Sequence, residues 1–414
     1  MVRVATHRAP YLVFAEHEFE VPLDHAAPDG ERLTVFAREV VTPKREEDEL
    51  PWLVFLQGGP GHEAPRPLKL LEKTWLERAL EDYRVLLLDQ RGTGRSTPVG
   101  DLTGLSSEAQ AEYLTHFRAD SIVRDAELIR RELGVERWSV LGQSFGGFCV
   151  VTYLSQAPEG LAEAFLTGGL PPLERHPDEV YRATYERVRT KNRAYYDRYP
   201  EDRDRVLGVL ERIQDEDVRL PAGDRLTVRR LRQLGQMLGM SDGFERLHYL
   251  FELPFGSPAF LHDVEAAYPF TRNPIYAVLH ESSYAPGVAT GWSAERVYPD
   301  DFRDDPTLFT GEHVYPWMLQ EYGALQSLAG AAEILAEHEW PPLYDVERLR
   351  ENDVPAAAAI YTEDMYVERA FSEETAAAIL GLRPWLTNEH EHDGLRADGA
   401  RVLGRLLDLV QGRG

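Results

Sequence analysis

The chain has 414 residues, 43% hydrophobic and 28% charged, which suits a soluble globular protein of one domain with an insertion, or of two domains. Its 45 Lys and Arg against 70 Asp and Glu leave a formal charge of −25, which argues against nucleic acid or an anionic membrane as a partner. The single cysteine, Cys149, excludes an intramolecular disulfide. With no apolar signal-peptide core and no stretch long enough to span a bilayer, a cytoplasmic setting is expected.

In chain order, HEFEVPLDH (17–25) and RLTVFAREVV (32–41) read as strands around the turn signal APDG. Three short apolar runs follow: LVFLQ (53–57), VLLLD (85–89) and WSVLG (138–142). Each is bounded by Gly or polar residues, as buried parallel strands are. Between the last two, an amphipathic helix is predicted over about residues 119–133, with Ile122, Ala126, Ile129 and Leu133 on one face. Another helix is predicted after Ser144, through Val150 and Tyr153. This β-α-β pattern implies a mostly parallel sheet with helices on both faces, an α/β fold.

After AFLTGGLPPL (164–173) the pattern changes to charge, aromatics and helix formers, with helices predicted over 203–218 and 228–240. Strand patterns return in PAAAAIY (355–361) and PWLTNEHEH (384–392). The chain closes on a helix carrying Leu395, Leu403, Leu406, Leu407 and Val410. The economical division is a core of residues 1–171 and 341–414, interrupted by a helical cap over 172–340.

GQSFG (142–146) matches G-x-S-x-G in the required context, after a strand and before a helix. Small residues at 142 and 146 let the turn lift the Ser144 hydroxyl out of the sheet, where the helix N-terminus favours developing negative charge. QGGPG (57–61) is a glycine-rich loop able to aim backbone N–H groups at an oxyanion. DQRGTGRS (89–96) lacks the lysine and spacing of a phosphate loop, and Asp89 and Arg91 are expected to pair with each other and shape it.

Chain order in folds with this serine motif is Ser, acid, His. The loop after PAAAAIY offers Glu363 and Asp364 as the acid, and the loop before the last helix offers His390 and His392 as the base. E-H-E-H lacks the spacing of a zinc motif, so no metal is expected. Cys149, five residues past the serine, reads as a packing residue.

Taken together, QGGPG, DQRGTGRS and GQSFGG resemble the proline iminopeptidases of the α/β-hydrolase superfamily. NPIYAVLHE (273–281), TGEHVYPWM (310–318) and NEHEHDGLR (388–396) resemble the larger, long-cap branch of that family. One departure is Gln57, where shorter members have His. The resemblance implies a serine aminopeptidase that releases N-terminal proline from peptides without metal or organic cofactor. It implies Ser144 as nucleophile, His392 as base and Asp364 as the acid that orients it. It further implies an oxyanion hole from the N–H groups of Gly59 and Phe145. The family holds the substrate amine with two cap glutamates, and the segments that resemble theirs carry Glu281 and Glu312. An esterase or other amidase of the same fold would share the triad; carboxylates in the cap favour a cationic amine over a neutral ester.

Overall fold

The computed structural model describes residues 2–413. Nine strands form one sheet: β1 (Val2–Ala9), β2 (Leu12–Pro22), β3 (Arg32–Val41), β4 (Trp52–Leu56), β5 (Arg84–Leu88), β6 (Trp138–Gln143), β7 (Leu161–Thr167), β8 (Ala356–Tyr361) and β9 (Arg383–Thr387). Their order is β1-β2-β3-β5-β4-β6-β7-β8-β9. The first three strands join antiparallel, and β3 pairs antiparallel with β5. From β5 to β9 every pairing is parallel.

The inner parallel strands, β4 to β8, are largely apolar on both faces because both faces are covered. With a side-chain period of two, Leu53, Phe55, Val85 and Leu87 face one way. There they meet α1 (Trp75–Asp82) and the final helix Gly399–Val410 through Leu76, Leu80, Leu403 and Leu406. Val54, Leu56, Leu86 and Leu88 face the other way, toward α3 (Ala119–Glu132, after α2, Ser107–Thr115) and α4 (Phe145–Gln156).

Between β7 and β8 the chain is helical, starting with α5 (Pro177–Arg198). Three departures from the sequence reading have physical causes. The predicted helix over 228–240 is α-helical only for Val228–Arg232 and continues as a 3-10 segment over Gln233–Gly239. Within that segment the carbonyls of Gln236 and Gly239 accept from outside the segment, from the Tyr366 hydroxyl and the His392 N–H. The last strand stops at Thr387, because the loop beyond it turns back over the ends of the strands.

Asp89 and Arg91 do not pair with each other, which corrects the expectation drawn from their spacing. Arg91 is fully buried and holds Asp125 of α3 by two bonds, 2.7 Å from Nε and 2.5 Å from Nη2. Its guanidinium also donates to the carbonyls of Leu23, His116 and Pro22. Asp89 accepts from Arg66 and from the backbone N–H groups of Ala64 and Arg95. The two side chains leave the strand end in opposite senses, one tying the N-terminal strands to a helix, the other pinning the loop that follows QGGPG.

Candidate active site

Ser144 lies between β6 and α4 with φ 55° and ψ −125°, a left-handed conformation that a non-glycine residue adopts only under constraint. The constraint comes from its neighbours. The Ser144 N–H bonds the Thr167 carbonyl on β7 at 3.0 Å, and its carbonyl accepts from Gly147 at 2.7 Å. A Cβ on Gly146 would come within 1.9 Å of the Leu56 carbonyl oxygen, so only glycine lets α4 start this close to β4.

Three side chains from distant stretches meet here. Ser144 Oγ is 2.8 Å from His392 Nε2, and His392 Nδ1 is 2.7 Å from Asp364 Oδ2. The other Asp364 oxygen accepts from the N–H groups of Tyr366 and Val367 at 2.8 and 3.0 Å. These bonds fix the carboxylate, so Nδ1 of His392 carries the proton and Nε2 is free to accept from the serine. Asp364 is 2% and His392 5% exposed. Burial alone would lower the proton affinity of His392, but the Asp364 carboxylate outweighs it, so the imidazole titrates above its ordinary value. The competing candidates stand apart: Glu363 is exposed, and His390 packs edge-on near Tyr361 and Trp385.

Ser144 and His392 open into a cavity of about 300 Å³ that Gly58, Gly59, Tyr276 and Glu312 also line. Phe145, as the first residue of α4, has an N–H without a partner inside the helix. Gly58 adjoins the serine more closely than the sequence reading foresaw, since a Cβ on it would lie 2.9 Å from Ser144 Cβ. Its N–H bonds the side-chain oxygen of Gln57 at 3.0 Å.

The two glutamates part company. Glu312 reaches the cavity. Its Oε1 accepts from the Tyr276 hydroxyl, and its Oε2 lies 3.4 Å from His280 Nε2. Burial pushes its pKa up, but His280 and Tyr276 outweigh that, so the group ends below the usual carboxylate value and keeps its charge. Glu281 does not line this cavity. Its oxygens accept from the N–H groups of Ser293 and Ala294 at 3.0 and 2.9 Å, and burial raises its pKa. It holds together a turn of the chain between β7 and β8, away from the cavity where the resemblance placed it with Glu312.

The sequence reading missed His62, Gln236 and Tyr366 on the cavity wall, and His280 behind Glu312. His280 and Tyr276 both lie in NPIYAVLHE, four residues apart, so helical spacing could have put them on one face. Nothing in the sequence tied that face to Glu312.

The sheet, the strained serine turn and the Ser-His-Asp contacts define an α/β hydrolase. Consistent with this, the family model described as alpha/beta hydrolase fold matches residues 51–210. A proline iminopeptidase of Aeromonas sobria is 51% identical over 412 residues, covering 95% of each chain. Proline iminopeptidase aneH of Aspergillus aculeatus is 36% identical over 96% of this chain and 94% of its own. A proline iminopeptidase of Xylella fastidiosa matches only 116 residues, 28% of this chain and 31% of its own, at 33% identity. The chain therefore belongs to the proline iminopeptidase family. Among the described residues no helix is long and apolar enough to cross a membrane.

Proposed function

We propose that the protein is a serine aminopeptidase that releases N-terminal proline from peptides through an acyl-enzyme. The observation that supports this best is a charged carboxylate, Glu312, lining the same cavity as Ser144 and His392. An aminopeptidase must hold a free ammonium next to the scissile carbonyl, and a buried carboxylate suits that task. The names of the two full-length relatives agree with it.

In this reading His392 Nε2 takes the Ser144 proton as Oγ bonds to the prolyl carbonyl carbon. The carbonyl oxygen takes up the charge, and the N–H groups of Phe145 and Gly59 stabilise it. His392 then gives its proton to the leaving amine as the C–N bond breaks. Water attacks the acyl carbon as His392 takes its proton; the acyl C–Oγ bond then breaks and His392 returns that proton to Ser144. Asp364 keeps the imidazole in the right tautomer and stabilises its charged form. Residues 172–340 act as the cap that brings Glu312 over the serine. A cytoplasmic setting completes the proposal, supported by the lone, buried Cys149.

The test is a pair of substrates, prolyl p-nitroanilide and its N-acetylated form, with the wild type and Ser144→Ala. The free-amine substrate should turn over and the acetylated one should not. Ser144→Ala should remain folded and lose several orders of magnitude of activity. Efficient cleavage of the acetylated compound would overturn the aminopeptidase reading in favour of an esterase or endopeptidase.

A further inference from the structure

A prolyl ammonium differs from that of every other common N-terminal residue in one simple respect: it is a secondary amine and carries two N–H donors, not three. The surroundings of Glu312 bear on that difference. An ionised carboxylate has about four acceptor sites, two on each oxygen. In this cavity one site on Oε1 is occupied by the Tyr276 hydroxyl. Oε2 faces Nε2 of His280, 3.4 Å away. The Tyr181 hydroxyl lies 3.1 Å from Nδ1 of the same ring. With Tyr181 donating to Nδ1, it is Nε2 of His280 that carries an N–H, on the side facing Glu312.

Both donors are held in place. Tyr181, Tyr276 and His280 are each 3% exposed or less, and Glu312 itself has 13% of its side chain exposed. Gln236, on the cavity wall, donates to the Tyr276 hydroxyl at 2.6 Å, which leaves that hydroxyl's own proton for Glu312. His280 is further fixed by edge-on packing against Tyr276 and Tyr284. Of the two imidazoles on the cavity wall, His392 has its Nε2 committed to Ser144 and His62 packs edge-on against Tyr276. Tyr276 and His280 are the donors whose contacts with this carboxylate the structure shows.

We propose that Tyr276 and His280, by each filling one acceptor site of Glu312, make the site selective for a secondary ammonium over a primary one. Two sites remain, and the two N–H donors of a prolyl ammonium fill them. A primary ammonium brings a third N–H into a pocket with no acceptor left for it on Glu312, and a charged donor stripped of water and left unpaired is costly. Tyr276 and His280 are positioning residues, acting through Glu312. The inference rests on the reading of Glu312 as the amine-binding group.

The experiment separates amine class from ring shape. The p-nitroanilides of proline, N-methylalanine and alanine are compared at a pH where all three amines are protonated. N-methylalanine and alanine differ in the number of N–H donors and by one methyl group. In the wild type, kcat/KM should favour N-methylalanine over alanine by about tenfold, the factor expected for one unpaired charged donor. Tyr276→Phe and His280→Leu each free a site and should shrink that ratio toward one, whatever they do to the absolute rates. His280→Gln retains an N–H donor and should keep the ratio.

A measurement on the wild type alone guards against variants that fail to fold: pyrrolidine should inhibit prolyl p-nitroanilide hydrolysis more strongly than cyclopentylamine. Equal inhibition, or no preference for N-methylalanine over alanine, would overturn the inference while leaving the aminopeptidase intact. So would an unchanged ratio in both folded variants. Failure to hydrolyse any aminoacyl anilide would instead strike at the underlying function.

Discussion

At the scale of single residues, the proposed chemistry depends on the protonation of His392. Only the neutral ring can accept the Ser144 proton. Because Asp364 holds the ring's affinity for protons above the ordinary imidazole value despite burial, activity should fall away on the acid side from a midpoint above that value. The pH profile of kcat/KM checks this, and His392→Ala should abolish the activity far more completely than His390→Ala. The two glutamates should also separate. Glu312→Gln keeps the shape but removes a charge. It should cost Pro-X hydrolysis about 1.5–3 kcal/mol in kcat/KM while sparing an ester that lacks an amine. Glu281→Gln can still accept one of its two backbone N–H bonds but not the other. It should appear in the melting curve, at about 1–3 kcal/mol, with the preference for a free amine retained.

Among the elements, the segment 236–241 has unusual importance, since it touches the loops of both Asp364 and His392. The Gln236 carbonyl takes the Tyr366 hydroxyl, two residues past Asp364. The Gly239 carbonyl takes the His392 N–H at 3.2 Å, and the N–H and hydroxyl of Ser241 hold Asp393 at 2.9 and 2.6 Å. Elsewhere α5 is tied to the core by the Arg187–Glu368 pair and by Lys191, 2.5 Å from Glu391 beside the histidine. Ser241→Ala, which removes one of those bonds, should lower kcat several-fold with little effect on KM, because it loosens the base and not the amine site. Steady-state kinetics on prolyl p-nitroanilide would show the split.

Such ties are where sequence reading stops. The parallel strands were legible because their runs are apolar on both faces, and the serine turn because its glycines have one geometric use. β1, with its VRVATHRA, is a polar edge strand and carries no such pattern. The error over Asp89 and Arg91 came from treating nearness along the chain as nearness of side chains. Glu281 and Glu312 look alike in sequence, each beside a histidine and among aromatics. Only the fold shows that backbone N–H groups saturate one while the other faces the cavity.

For the molecule as a whole, the charge of −25 produces a long-range field that attracts cations. A peptide amine bound for Glu312 is positively charged, so added salt should raise KM for prolyl substrates through screening. A neutral ester should be less affected, and a titration from about 0.01 to 0.15 M salt spans the relevant change in screening length. The nine-stranded sheet supplies Ser144, Asp364 and His392, yet the chain between β7 and β8 supplies the bonds that keep two of their loops in place. Unseating that segment would leave all three groups on the sheet without their alignment, so hydrolysis would report on how it is packed.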